Sequence, residues 1–261
     1  MSRILAIGSS HLASFKLGVN IANKQSLLLP EIDFAGIWET GFGYLKLDGA
    51  NVLAPDLVPQ QNNANNVNLR DIWTISGKKS CPPNLDEYSK ILIFASPCKL
   101  LPSLYYQRSI PAPLSSSTMR EILRSNHMNH HIFDLINPWQ FRISKIVQEI
   151  CNYAMQKVVF VGAPLPIEGM EDAVIEAIRK ELQSNQMLAE IHKNNVHKLR
   201  QLSEESFKNI EFPYSFILPP ETLLCDMQIS TKKHFLSGNM WHTNGEYGLE
   251  IIKKLIALSI L

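Results

Sequence analysis

The sequence predicts an α/β fold in which a mainly parallel sheet of five strands is covered by helices. Two observations carry that prediction. Five short runs, rich in β-branched and aromatic residues, are hydrophobic almost without alternation, the pattern of strands buried on both faces. Between them lie segments with apolar residues at helical spacing, and strands that alternate with helices favour a doubly wound sheet.

The strands are read at residues 3–7, 33–38, 90–95, 157–162 and 214–218. The first helix, 11–24, carries Leu12, Phe15, Leu17, Val19 and Ile21. A second, 144–155, places Ile146, Val147, Ile150 and Tyr153 on one stripe. Residues 168–201 are long, charged and interrupted by Asn194-Asn195, as one extended helix or two. Residues 245–261 close the chain with Tyr247, Leu249, Ile251, Ile252, Leu255 and Ile256 on an apolar face. Residues 44–53 read as a hairpin around Asp48-Gly49. The Gln- and Asn-rich stretch 59–68 reads as an exposed loop, and 109–118, with Pro111, Pro113 and a serine run, as a loop or flap. With no repeat and no linker, residues 1–261 are read as one domain.

Composition narrows the function classes. Of 261 residues, 45% are hydrophobic and 19% charged, ample for an ordinary core. A formal net charge of +1 gives no long-range electrostatic reason to expect nucleic acid or an anionic membrane as partner. No apolar run reaches the roughly 18 residues of a membrane span. Ile4-Leu5-Ala6-Ile7 is too short for a signal-peptide core and lacks a small-residue cleavage site. Cys81, Cys98, Cys151 and Cys225 show no CxxC spacing, which argues against zinc or redox chemistry; they are read as reduced thiols of a cytoplasmic protein. His127, His130, His131 and Asp134 would share one helix face, but a polar face is the plainer reading, and no metal is expected.

The chemistry gathers at the two ends of the chain. A buried strand ends at Gly8, and Ser9, Ser10 and His11 open a helix. In an open parallel sheet ligands bind at the carboxyl ends of the strands, and a serine there lies beside the free N–H groups of a first helical turn. The same serines would also serve as helix caps. At the far end, residues 238–244 precede the last helix with Asn244 or Thr243 as a natural cap, and His242 lies in this loop. A serine hydroxyl needs such a base.

Ile7-Gly8-Ser9-Ser10-His11 resembles the first block of the SGNH/GDSL hydrolases, in the variant written Gly-Asp-Ser-His. His242-Thr243-Asn244 with Tyr247-Gly248 resembles the last block, Asp-x-x-His followed by Asn and often Tyr-Gly. Residues 85–95 resemble the approach to the third block, and 159–166 the proline-ended fourth strand. The resemblance implies a flavodoxin-like three-layer α/β/α sandwich without metal or organic cofactor. It implies Ser10 as nucleophile and His242 as general base acting on a small ester or an acetylated sugar. The oxyanion and substrate would be held by backbone at Gly8 and Ser10 with Gly43 (or Gly41), Ser96, His11 and Asn244.

Two positions depart from the family. Asn239 stands where Asp-x-x-His carries its orienting carboxylate, and an amide does not stabilise an imidazolium as a carboxylate does. Three outcomes follow: a serine–histidine dyad held by a backbone carbonyl, a carboxylate supplied by Asp226, or a site that binds without turnover. The third-block Asn is likewise replaced, since the strand runs into Ser96-Pro97 and proline removes a backbone N–H. A pyrophosphate-binding turn is disfavoured because Gly8-Ser9-Ser10 lacks the GxGxxG glycines.

Overall fold

The computed structural model describes residues 3–8, 11–36, 45–53, 57–59, 66–68, 74–75, 78–79, 83–94, 115–120, 138–162, 164–165, 167–170, 173–208, 215–237 and 239–261. In chain order, β1 (Arg3–Gly8) leads to α1 (His11–Lys24) and β2 (Glu31–Gly36). Three short antiparallel pairs follow: β3 (Lys46–Asp48) with β4 (Asn51–Leu53), β5 (Leu57–Pro59) with β6 (Asn66–Asn68), and β7 (Thr74–Ile75) with β8 (Lys78–Lys79). Then come β9 (Lys90–Phe94), α2 (Pro138–Ala154) and β10 (Val158–Val161). The chain continues through α3 (Ala173–Ser184), α4 (Gln186–Glu205) and β11 (Ser215–Ile217). It closes with β12 (Leu236–Ser237), β13 (Asn239–Thr243) and α5 (Gly245–Ala257).

The central sheet has the order β2-β1-β9-β10-β11, and every neighbouring pair is parallel. From β1 the chain steps one way to β2, then returns to the other side of β1 for β9, β10 and β11. With right-handed crossovers, that reversal puts α1 on one face and α2, α3 and α4 on the other. It also puts the point where the strand order reverses between β1 and β9, the place where open α/β sheets form a ligand crevice beyond the carboxyl ends of their strands. The strands are buried throughout their middles, which explains their near-continuous hydrophobicity. Phe15 of α1 packs on Phe94 and Phe34 with ring centroids 4.7 and 6.1 Å away.

Helix α5 joins the face of α1 through a glycine contact. A Cβ on Gly248 would collide with the Ser14 carbonyl, and one on Gly18 with the Gly248–Leu249 peptide, so the two backbones touch where only glycine allows it. A second, smaller core is separate from the first. Ile175, Ile178 and Leu182 of α3, Leu188 of α4, and Cys225 and Ile229 of the turn 225–230 build it.

Both the edge strand β11 and the amino end of the sheet are closed by side chains. Phe216 is the residue of β11 whose peptide groups face outward; Ser206 Oγ accepts from its N–H (3.1 Å) and Ser203 Oγ donates to its carbonyl (2.7 Å). Strand addition at that edge is thereby blocked. At the amino end Arg3 donates to Asp33 (2.6 Å) and Glu87 (2.7 Å) and lies over the Tyr88 ring, while Tyr88 Oη donates to Asp33 (3.0 Å). Burial, and then the Asp33 carboxylate, push the Tyr88 phenol far above its ordinary range, so it stays a donor.

The five strands and the first helix lie where the sequence places them, and the 48–49 hairpin forms as β3–β4. Other boundaries differ. The second strand begins at Glu31, and residues 37–38 of its expected range lie outside the described residues. Helix α2 starts at Pro138, whose missing N–H is no loss at a first helical position. The stretch 57–68 is bracketed by the paired strands β5 and β6 rather than being loop throughout, and a helical turn begins at Ser116 inside the expected flap. The charged segment breaks at Asn185, which caps α4 by accepting from Leu188 N–H (3.2 Å). Asn194-Asn195 lie within α4, because the burial of its neighbours outweighs a few tenths of a kcal/mol of helix propensity.

Candidate functional site

The carboxyl end of β1 is the place to begin. Gly8 faces Gly36 on one side and Phe94 on the other. A Cβ at Gly8 would collide with the Phe94 carbonyl, so glycine lets β1 and β9 close together at the crevice. Three residues on, His11 opens α1, and its carbonyl accepts from Ser14 Oγ (3.0 Å). No acidic residue stands in the first turn of α1, so no carboxylate there competes with an anion for the positive end of the helix dipole. His11 is half-buried, with Nδ1 fully enclosed.

The last segment differs from the expected loop. His242 lies in β13, paired with β12. Ser237 opposes Asn239, yet Leu236 opposes Thr243 where an unbroken ladder would bring Met240. The residues from Met240 to His242 are therefore extra, and they bulge from the ladder. Bulges re-aim residues and recur beside active sites. The backbone of β13 packs against α1.

Around this bulge the described side chains divide into used and unused groups. Asn244 caps α5: its Oδ1 accepts from the N–H groups of Glu246 and Tyr247 (both 3.1 Å), and its Nδ2 donates to the His234 carbonyl (3.0 Å). That amide is occupied by structure rather than offered to substrate, which settles the cap in favour of Asn244 over Thr243. The hydroxyls of Thr243 and Tyr247 are buried and have no hydrogen-bond partner among the described residues. Burial drives the Tyr247 phenol well above its ordinary range. Tyr247 precedes Gly248, which seats α5 on the first turn of α1.

Asp226 is exposed in the turn 225–230. No hydrogen bond among the described residues ties it to β13 or α1. Ser10, Gly43, Gly41, Ser96 and Pro97 lie outside the described residues, as do the side chains of Asn239 and His242. His127, His130, His131 and Asp134 also lie outside them. Among the described residues no three His, Cys, Asp or Glu side chains group as a metal site requires. Cys151 and Cys225 are free and buried; burial pushes the Cys151 thiol up to about 12, which leaves it inert as a nucleophile. No helix among the described residues is long and apolar enough to cross a membrane.

Comparison with family models, curated proteins and solved structures finds no match.

Sequence reasoning missed two features. The buried hydroxyls of Thr243 and Tyr247 escaped because Tyr247 counts as apolar in a helical stripe. The second core escaped because its parts come from α3, α4 and a turn some 40 residues further along the chain.

Proposed function

We propose that the protein is a serine hydrolase or acyltransferase that acts on a small ester or an acetylated sugar. Ser10 attacks the acyl carbon, and His242 takes the hydroxyl proton and returns it to the departing alcohol. The oxyanion is met by the Ser10 N–H at the start of α1. The observation that carries this reading is the meeting of the chain's two ends: α1 starts just beyond the carboxyl end of β1, and β13, bulged at 240–242, packs against it. With Asn239 in place of an acid, the imidazole is held as a dyad by a neutral acceptor.

The test is turnover of p-nitrophenyl acetate and labelling by a fluorophosphonate. Ser10→Ala is expected to lose roughly a thousandfold or more in rate, as loss of a serine nucleophile does, and to lose the label. Equal rates in wild type and Ser10→Ala would sink the proposal.

A second reading is a site that binds a sugar or acyl ligand without turnover. It is favoured by Asn239 and by the capping role that absorbs the Asn244 amide. Under this reading neither wild type nor Ser10→Ala turns over ester, while both bind ligand in calorimetry.

A further inference from the structure

The second core and the polar contacts beside it single out one part of the molecule. Helix α3, the first half of α4 and the turn 225–230 pack on one another through Ile175, Ile178, Leu182, Leu188, Cys225 and Ile229. The later residues of α4, Val196, Leu199 and Leu202, belong instead to the main core. The boundary between the two cores crosses α4 at residues 193–195, where Asn194-Asn195 are weak helix formers.

Polar contacts follow the same division. Within the smaller unit, Arg179 Nη2 of α3 donates to Ser230 Oγ (2.7 Å), and His192 Nε2 of α4 donates to the Met227 carbonyl (2.7 Å). Across the boundary, Arg200 on the main-core half of α4 supplies a described link. Its Nε and Nη2 donate to Gln228 Oε1 (3.0 and 2.7 Å), and Nη1 and Nη2 reach the Pro219 carbonyl just after β11 (both 3.2 Å). Gln228 sits at φ +54°, a left-handed conformation that costs a non-glycine residue about 1 kcal/mol. The guanidinium thus holds a strained turn against the body of the fold. The base of the turn lies on the carboxyl side of the sheet: Thr231 Oγ1 donates to the Leu165 carbonyl (2.8 Å) and Glu168 N–H to the Thr231 carbonyl (2.8 Å), both just past β10.

We infer that α3, the first half of α4 and the turn 225–230 form a cap that opens as one unit beside the carboxyl ends of β10 and β11. Asn194-Asn195 are its hinge, and the Arg200–Gln228 pair is its latch. Small separate cores joined to a larger one by few contacts are the units that open below the global unfolding energy. Gln228 also explains its own strain: its backbone is bent so that its amide meets Arg200.

Hydrogen exchange read by mass spectrometry on the full chain tests this. In wild type, the amides of α3 and of 225–230 are expected to exchange together, at least tenfold faster than those of β1, β9 and α5. Gln228→Gly removes the latch while suiting the left-handed turn, so the fold is retained. It is expected to speed exchange in α3 and 225–230 several-fold further, the effect of losing hydrogen bonds to a charged group less the strain that glycine relieves, and to leave 196–205 unchanged. Protection of α3 equal to that of β1 in wild type would overturn the inference. So would Gln228→Gly accelerating the whole molecule alike or changing nothing.

Discussion

The two ends of the central sheet treat their polar groups in opposite ways. At the amino end Asp33, 2% exposed, is met by Arg3 and by Tyr88, and Arg3 also meets Glu87. Apart from Arg3 Nε, which is buried without a hydrogen bond among the described residues, these groups meet one another, so the cluster is spent on holding β1, β2 and the approach to β9 together. At the carboxyl end Gly8 brings the backbones close, the first turn of α1 carries no acid, and the hydroxyls of Thr243 and Tyr247 are enclosed without a described partner. Buried polar groups left unpaired cost about 1–3 kcal/mol each. Among the described residues, polar side chains at the amino end pair with one another, whereas two buried hydroxyls at the end where open α/β sheets bind ligands have no described partner.

The comparison is broken most strongly at Arg3. Arg3→Ala removes the cation beside the buried Asp33 carboxylate, and removing one member of a buried pair costs about 3–5 kcal/mol, less here because Arg3 is a third exposed. Urea unfolding is expected to show that loss with ester turnover unchanged; a loss below about 0.5 kcal/mol would mean that the cluster is no structural anchor. At the other end Gly8→Ala forces β1 from β9 at the Phe94 carbonyl, an overpacking that costs about 1–3 kcal/mol. Because the strain falls at the crevice, ester turnover and fluorophosphonate labelling are expected to fall as well. Stability lost with both retained would separate Gly8 from the site.

The smallest effect is the sharpest. Tyr247→Phe deletes a buried hydroxyl without a described partner, so stability is expected to hold or to rise by up to about 1 kcal/mol. A thermal melt showing a clear loss would reveal that the hydroxyl is engaged. It would then no longer count among the uncommitted groups of the carboxyl end.

Much of the fold was legible in the chain because it depends on short-range pattern. The five strands announce themselves by unbroken apolar runs, since a strand buried on both faces has no polar side to show. Helix α1 is delimited by the serines before it and the turn after it, and Asn244 caps α5 as the Asn-Gly sequence suggests. Ser10 and His242 were visible as the two chemically apt residues at element boundaries. Less legible was the local form of the last block: His242 lies in a bulged strand because β12 pairs with β13 three residues out of step, and register is a property of two segments together.

By itself, then, the sequence determined the five strands of the central sheet, the helices between and after them, and the two residues on which the proposed chemistry rests, because periodicity and turn chemistry act over a few neighbours. Only the tertiary structure decided the order β2-β1-β9-β10-β11, the glycine contact of α1 with α5, the pairing of Arg3 with Asp33, and the second core with its Arg200 latch. Those depend on which surfaces distant segments present to one another, and close packing selects among them only when the whole chain is assembled.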